Sequence, residues 1–178
     1  MSPIRKIVII GNSAAGKSTL SEKISKVFSI PVYHLDKILW KPNWERTPED
    51  EFVKKHDEII QKESWIIDGV AYRSTYECRF ENADLIIYLD IPPEICIQNA
   101  ESRMQEDLER PNPYVNENCP YGFEFIEEQK EVIYSFHNEY RPLILDLLKK
   151  YEIKNKVIYL KDNYEIDDLL EQIQANKN

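Results

Sequence analysis

The segment Gly11-Asn12-Ser13-Ala14-Ala15-Gly16-Lys17-Ser18 fits the pattern G-x-x-x-x-G-K-[ST], the P-loop or Walker A motif. It directly follows the apolar run Ile7-Val8-Ile9-Ile10 and opens an amphipathic stretch. The motif therefore demands a strand, a tight loop and a helix in that order. Glycines let the backbone turn sharply, so consecutive N–H groups can face phosphate oxygens. The N-terminus of the following helix adds positive field at the same place. In this reading residues Gly11, Asn12, Ser13, Ala14, Ala15, Gly16, Lys17, Ser18 and Thr19 cradle the phosphates of a nucleotide. Lys17 reaches the β- and γ-phosphates, and the Ser18 hydroxyl ligates Mg²⁺. The bland alternative is a Gly-Lys turn that ends a strand and caps a helix. The matching flanks favour the phosphate reading, and two of the four glycines in the chain fall in the motif.

Length and composition bound the rest. A chain of 178 residues can bury a single core, so residues 1–178 read as one domain. No apolar run approaches the roughly 18 residues that span a bilayer. The N-terminal apolar run is short and leads straight into the loop, unlike a signal peptide. A cytoplasmic location is expected. Cys78, Cys96 and Cys119 form no C-x-x-C pair, and His34, His56 and His137 are scattered, so neither a disulfide framework nor a zinc site is suggested. The net charge of −9 argues against a nucleic-acid partner, which calls for a basic footprint.

Periodicity lays out alternating strands and helices. Residues 4–10 read as a buried strand, and 17–28 as a helix with Leu20, Ile24, Val27 and Phe28 on one face. Residues 30–33 read as a second strand, 40–44 as a loop, and Thr47-Pro48-Glu49-Asp50 as a helix start. Residues 65–69, 85–90 and 156–160 read as further strands. Helices follow Pro92 and cover about 122–151 and 164–173, with Pro142 expected to break or kink the middle one. Periodicity fails over 105–121, where Pro111, Pro113 and Pro120 collect. That stretch reads either as a short lid or as a plain surface connection. Strand–helix alternation implies an α/β fold with parallel pairing and right-handed crossovers.

Strand ends supply the candidate chemistry, because ligands of open α/β sheets collect there. Asp68 ends the third apolar strand and can hold a Mg²⁺-bound water opposite Ser18, or it simply makes an Asp-Gly turn. Asp36 follows the second strand. It can orient or deprotonate an acceptor hydroxyl, help to hold the metal, or cap a turn. Arg73 follows the Asp68-Gly69 turn, Arg103 and Arg110 flank the entry to the 105–121 stretch, and Arg141 precedes the expected helix break. Guanidinium forks suit phosphate oxygens. Trp40, Trp44 and Tyr72 either line a ligand pocket or pack their loops onto the core.

These residues in this order resemble the adenylate-kinase-like P-loop kinases. Trp65-Ile66-Ile67-Asp68-Gly69 with Arg73 resembles that group's strand–Asp-Gly–Arg segment. Leu89-Asp90-Ile91-Pro92 with Arg103 resembles the approach to its lid. Within the group the chain is most similar to the FlaR-type "DNA topology modulation" proteins. The resemblance rests on Tyr33-His34-Leu35-Asp36-Lys37 with Trp40 and Trp44, on Arg110-Pro111 and on Arg141-Pro142. It runs from Lys6 to about Leu170. Val70-Ala71 replaces the Phe-Pro of adenylate kinases, and Asn99 stands where those kinases often place an arginine. Cys119 alone makes no zinc lid. These departures argue against AMP as acceptor.

The resemblance implies a three-layer P-loop fold: a five-stranded parallel sheet in the order 2-3-1-4-5, helices on both faces and a short lid at about 105–121. It implies ATP and Mg²⁺ as cofactors and a small-molecule acceptor: a nucleoside, a nucleotide or another hydroxyl metabolite. Lys17, Asp36, Arg73, Arg103, Arg110 and Arg141 are the expected catalytic set, with Ser18 and Asp68 at the metal, in a monomer or homodimer. The competing reading is an ATP-dependent regulatory or DNA-topology-modulating protein with no metabolite acceptor.

Overall fold

The computed structural model describes residues 4–107, 113, 114, 116, 119, 123–152 and 156–175; side chains at 105–107, 123–125, 174 and 175 are not described. Five strands form one parallel sheet: β1 (Lys6–Gly11), β2 (Val32–His34), β5 (Trp65–Asp68), β6 (Leu85–Leu89) and β7 (Val157–Leu160). Their spatial order is β2-β5-β1-β6-β7, which among these strands is the expected 2-3-1-4-5. Register sets Asp68 beside both Ile9 of β1 and His34 of β2.

Alternation along β1 explains the layering. Ile7 and Ile9 face one side of the sheet, Val8 and Ile10 the other, and all four are fully buried. On the first face they meet Leu20 and Ile24 of α1 (Lys17–Phe28), Cys96 and Ala100 of α5 (Pro93–Asp107), Ile126 and Ile133 of α6 (Phe123–Ser135), and Leu170 of α8 (Asn163–Ala175). On the second face lie Leu35 and Leu39 of α2 (Leu35–Leu39), Phe52 of α3 (Glu49–Ile60), Phe80 of α4 (Tyr76–Asn82), and Ile144 and Leu148 of α7 (Arg141–Glu152). Each fully buried aliphatic side chain contributes roughly 1.5–3 kcal/mol on leaving water. A sheet buried on both faces needs such continuous apolar strands.

Three local expectations resolve differently. The loop expected at 40–44 lies within a small antiparallel hairpin, β3 (Trp40–Lys41) and β4 (Glu45–Arg46), in which Trp40 pairs with Arg46. Thr47 does not cap α3. Its hydroxyl donates to the Ile38 carbonyl at 2.7 Å, and its N–H to the Leu39 carbonyl at 2.8 Å, which pins the hairpin to α2. The kink expected at Pro142 is a π-helical turn over Phe136–Tyr140, where the Arg141 N–H reaches back to the Phe136 carbonyl. Pro142 lacks an N–H, so the helix loosens one turn ahead of it.

Arg79 is fully buried in α4. Its guanidinium donates to the carbonyls of Gly69 at 3.0 Å and Val70 at 2.8 Å, and it lies 5.0 Å from the Tyr76 ring. Burial pushes it down to about 10. This buried cation fixes the turn that leaves Asp68.

Candidate functional site

The P-loop keeps its shape through two left-handed residues and three side-chain braces. Gly11 ends β1 against β6; a Cβ there would fall 2.6 Å from the Leu89 carbonyl oxygen. Ala14 (φ 54) and Gly16 (φ 92) are left-handed. Interrupting right-handed backbone in this way forms a concavity suited to anions. Asn12 is buried; its carbonyl side accepts the Ser13 N–H at 2.7 Å, and its amide donates to the Ile133 carbonyl at 3.0 Å. Asn99 of α5 donates to the Ala14 carbonyl at 3.0 Å, and Gln129 of α6 to the Ser13 hydroxyl at 3.2 Å. Helix α1 begins at Lys17, so Lys17, Ser18 and Thr19 occupy its first turn.

Four charged side chains share one neighbourhood at this edge of the sheet. The Lys17 ammonium donates to the Asn12 carbonyl at 2.6 Å. Burial pushes its pKa down, Asp36 and Asp68 hold it up, and Arg103 pushes it further down. Asp36 sits in the first turn of α2. Burial raises its pKa, Lys17 opposes that, Asp68 adds to it, and His34 and Arg103 oppose it. A carboxyl with a raised pKa is better matched to taking up a proton near neutrality.

Asp68 is buried, and both its oxygens are engaged. Oδ1 lies 2.9 Å from His34 Nδ1, and Oδ2 lies 3.2 Å from the Ser21 hydroxyl. That hydroxyl is also 2.9 Å from the Ser18 carbonyl, so its one proton is shared between the two acceptors. The other nitrogen of His34 lies 3.1 Å from Glu22 Oε1. Burial alone would depress the His34 pKa, but hydrogen bonds to the Asp68 and Glu22 carboxylates raise it. With a carboxylate at each ring nitrogen, the protonated ring can donate on both sides, and the neutral ring on one. Sequence reasoning saw no metal site in the three scattered histidines and gave His34 no role beyond its place in the Tyr33–Lys37 stretch. Its signal was register: it ends β2 beside the strand that ends in Asp68.

The arginines divide. Arg103 is half-buried and acts on both Lys17 and Asp36. Arg73 is exposed at the start of the short helical turn Arg73–Thr75. Arg141 is held in a bidentate pair with Asp90, at 2.6 and 2.7 Å, which raises its pKa. Arg110 and most of the 105–121 stretch lie outside the described residues. Of those described there, Tyr114 packs 5.0 Å from the His34 ring, Asn116 donates to the carbonyls of Lys37 and Trp40, and Cys119 Sγ lies 3.4 Å from the Lys41 carbonyl. Tyr114 thus lies against the end of β2, and Asn116 and Cys119 against α2 and β3. Trp40 and Trp44 meet edge-on at 5.7 Å.

The donor set suits a Mg²⁺–nucleotide. Among the described residues no three His, Cys, Asp or Glu side chains are arranged to hold a metal by themselves. Mg²⁺ in such sites takes one or two protein groups and completes its shell with phosphate and water. Ser18 and Asp68 fit that sparse demand, and Lys17 fits the phosphates. Among the described residues no helix is long and apolar enough to cross a membrane.

No protein-family model matches the chain, and no curated protein matches it in sequence. Solved structures do. The shikimate kinase of Bacteroides thetaiotaomicron matches at 14% identity and TM-score 0.53, covering 98% of each chain. A gluconokinase of Sinorhizobium meliloti 1021 matches at 13% identity and TM-score 0.52, covering 97% of this chain and 91% of that one. A sugar kinase of Janibacter sp. HTCC2649 matches at 14% identity and TM-score 0.51, covering 98% and 92%. At such identities the likeness establishes the fold alone, which this chain shares with those three kinases.

Proposed function

We propose that the chain is an adenylate-kinase-like phosphotransferase of the FlaR type, which moves the γ-phosphoryl of ATP onto a hydroxyl of a small acceptor. The observation that carries this reading is the convergence of Asp36, Asp68 and Arg103 on Lys17 of the P-loop, close enough for all three to act on its ammonium. The named activities of the structural neighbours, all kinases of small hydroxyl compounds, support the same class.

The roles follow from the chemistry. Backbone amides of 12–18 and Lys17 bind and orient the β- and γ-phosphates, and Ser18 and Asp68 hold Mg²⁺, with Thr19 alongside. Mg²⁺ supplies neutralisation of phosphate charge. His34 and Ser21 orient Asp68. Asp36 takes the proton of the acceptor hydroxyl as its oxygen attacks the γ-phosphorus and ADP leaves. Arg103 stabilises the charge that develops, with Arg73 and Arg110 as further candidates. Arg141 joins them only after giving up Asp90.

An ADP-release screen over nucleosides, nucleotides, sugars and hydroxy acids tests this, with mass spectrometry of the product. An acceptor gaining one phosphoryl group, dependent on Mg²⁺ and lost in Lys17→Ala, is the expected result. ATP binding without transfer to any acceptor would refute it.

A further inference from the structure

The turn that leaves β5 bears on both candidate acids. Asp68 immediately precedes Gly69, whose N–H donates to the Ile9 carbonyl at 3.2 Å. Gly69 also approaches the exit of β2. A Cβ built on it would fall 3.1 Å from Leu35 Cβ, and Leu35 lies between His34 and Asp36 at the start of α2. One short turn therefore carries Asp68 and touches the helix that carries Asp36.

The turn is strained and needs outside support. Gly69 (φ 112) and Ala71 (φ 53) are both left-handed. Such backbone at a residue other than glycine persists only where surroundings over-determine it. Here the support is Arg79 of α4. Its Nη1 donates to the Gly69 carbonyl at 3.0 Å and its Nη2 to the Val70 carbonyl at 2.8 Å. A planar guanidinium fork can fix two consecutive carbonyls at once, which a single ammonium cannot.

As a packing device alone this arrangement is unfavourable. Arg79 is fully buried, its Nε has no partner, and among the described residues no carboxylate pairs with it. A buried charge destabilises unless it is paired. An apolar side chain of similar length would fill the space without that penalty, but it would leave the two carbonyls of the turn unheld.

We propose that Arg79 is a positioning residue for phosphoryl transfer. By clamping the 69–71 turn it sets the placement of Asp68 and, through the Gly69–Leu35 contact, of Asp36, relative to Lys17. This rests on the kinase reading and adds to it a residue that touches neither nucleotide nor acceptor.

The first test is Arg79→Lys, which keeps the charge and loses the fork. With an acceptor found by the ADP-release screen, kcat should fall about tenfold to a hundredfold, the scale on which misplaced groups slow a reaction. The KM for ATP should hold, because the braces of the P-loop come from α5 and α6 and not from α4. A second readout needs no turnover. Calorimetry of ADP with and without Mg²⁺ measures how far the metal tightens binding. That tightening should shrink by about tenfold in Arg79→Lys, the scale for losing the support behind a metal ligand, while metal-free ADP affinity stays. Gly69→Ala, which presses a methyl group on Leu35 with Arg79 intact, should show the same split between kcat and the KM for ATP. In Arg79→Ala, millimolar guanidinium should restore kcat and methylammonium should not.

Parental kcat and parental Mg²⁺ tightening in folded Arg79→Lys overturn the proposal. So does a loss shared alike by kcat, the KM for ATP, metal-free ADP affinity and the folded fraction, which is the mark of a merely structural role. If Arg79→Lys does not fold, Gly69→Ala decides by the same criteria. If no compound is phosphorylated, the kinase reading falls, and the Mg²⁺ dependence of ADP binding decides by itself whether Arg79 positions Asp68.

Discussion

His34 Nδ1 lies 2.9 Å from Asp68 Oδ1 in a site where the two side chains are only 9% and 3% exposed. The carboxylate at the end of β5 is thus hydrogen-bonded to a ring from the neighbouring strand, with Glu22 behind it. His34→Ala would leave that buried oxygen without its partner. Stranding a buried charged acceptor costs about 3 kcal/mol. Urea unfolding measures this, and a loss under ~1 kcal/mol would mean that water replaces the ring. Asp68→Asn keeps the shape but removes the charge. It should raise the Mg²⁺ concentration needed for half-maximal rate; an unchanged Mg²⁺ titration would reduce Asp68 to a turn residue.

Lys17→Ala should leave the melting temperature nearly unchanged, since the ammonium's hydrogen bond is to its own loop at Asn12. Turnover should fall by ~10²–10³ or more, the usual scale for removing a donor aimed at developing charge. Parental turnover in this variant would remove the P-loop from the mechanism.

His56 gives the fold a pH dependence of definite sign. It is fully buried, its Nε2 has no partner, and it stacks on Phe52 at 6.4 Å. Burial pushes its pKa below the ordinary 6.5, with Arg79 adding to the effect and Asp57 opposing it. Below 6.5 the unfolded chain takes up a proton that the folded chain refuses, so this contribution is complete above that pH and is lost as pH falls. In His56→Leu the melting temperature should decline less between neutral pH and mildly acidic pH than in the parent. Parallel profiles would show that carboxylates alone set the slope.

The two P-loop glycines should fail for different reasons. Gly11→Ala drives a methyl group to 2.6 Å from the Leu89 carbonyl oxygen and should cost about 2 kcal/mol by overpacking. Gly16→Ala meets nothing within 4 Å, so only its left-handed backbone resists, at about 1 kcal/mol. Thermal unfolding of the pair checks the order; a larger loss at Gly16 would contradict the packing assigned to Gly11.

Much of this was legible in sequence because it is local. The eight-residue motif, the apolar runs, Asp68 at a strand end and Asp36 just past one each declare themselves within a few neighbours. What stayed hidden depends on partners far along the chain. Arg141 looked available until Asp90, 51 residues away, was found to hold it. His34 gained meaning only from Asp68, 34 residues on. The β3–β4 hairpin escaped because its strands are two residues each, too short for alternation to register. Arg79 reads as an ordinary helical surface residue, and only burial reveals it as the clamp on the Asp68 turn.

The braces on the P-loop have a consequence for how the protein is made. Asn99 grips Ala14 across 85 positions, Gln129 grips Ser13 across 116, and Asn12 reaches Ile133 across 121. The loop is translated within the first tenth or so of the chain, yet its last brace arrives with residue 133. A ribosome-bound chain halted before α6 emerges would carry the whole motif without its final shape. Nucleotide capture should therefore appear late in synthesis, when about three-quarters of the chain has left the exit tunnel, and not when the motif itself does.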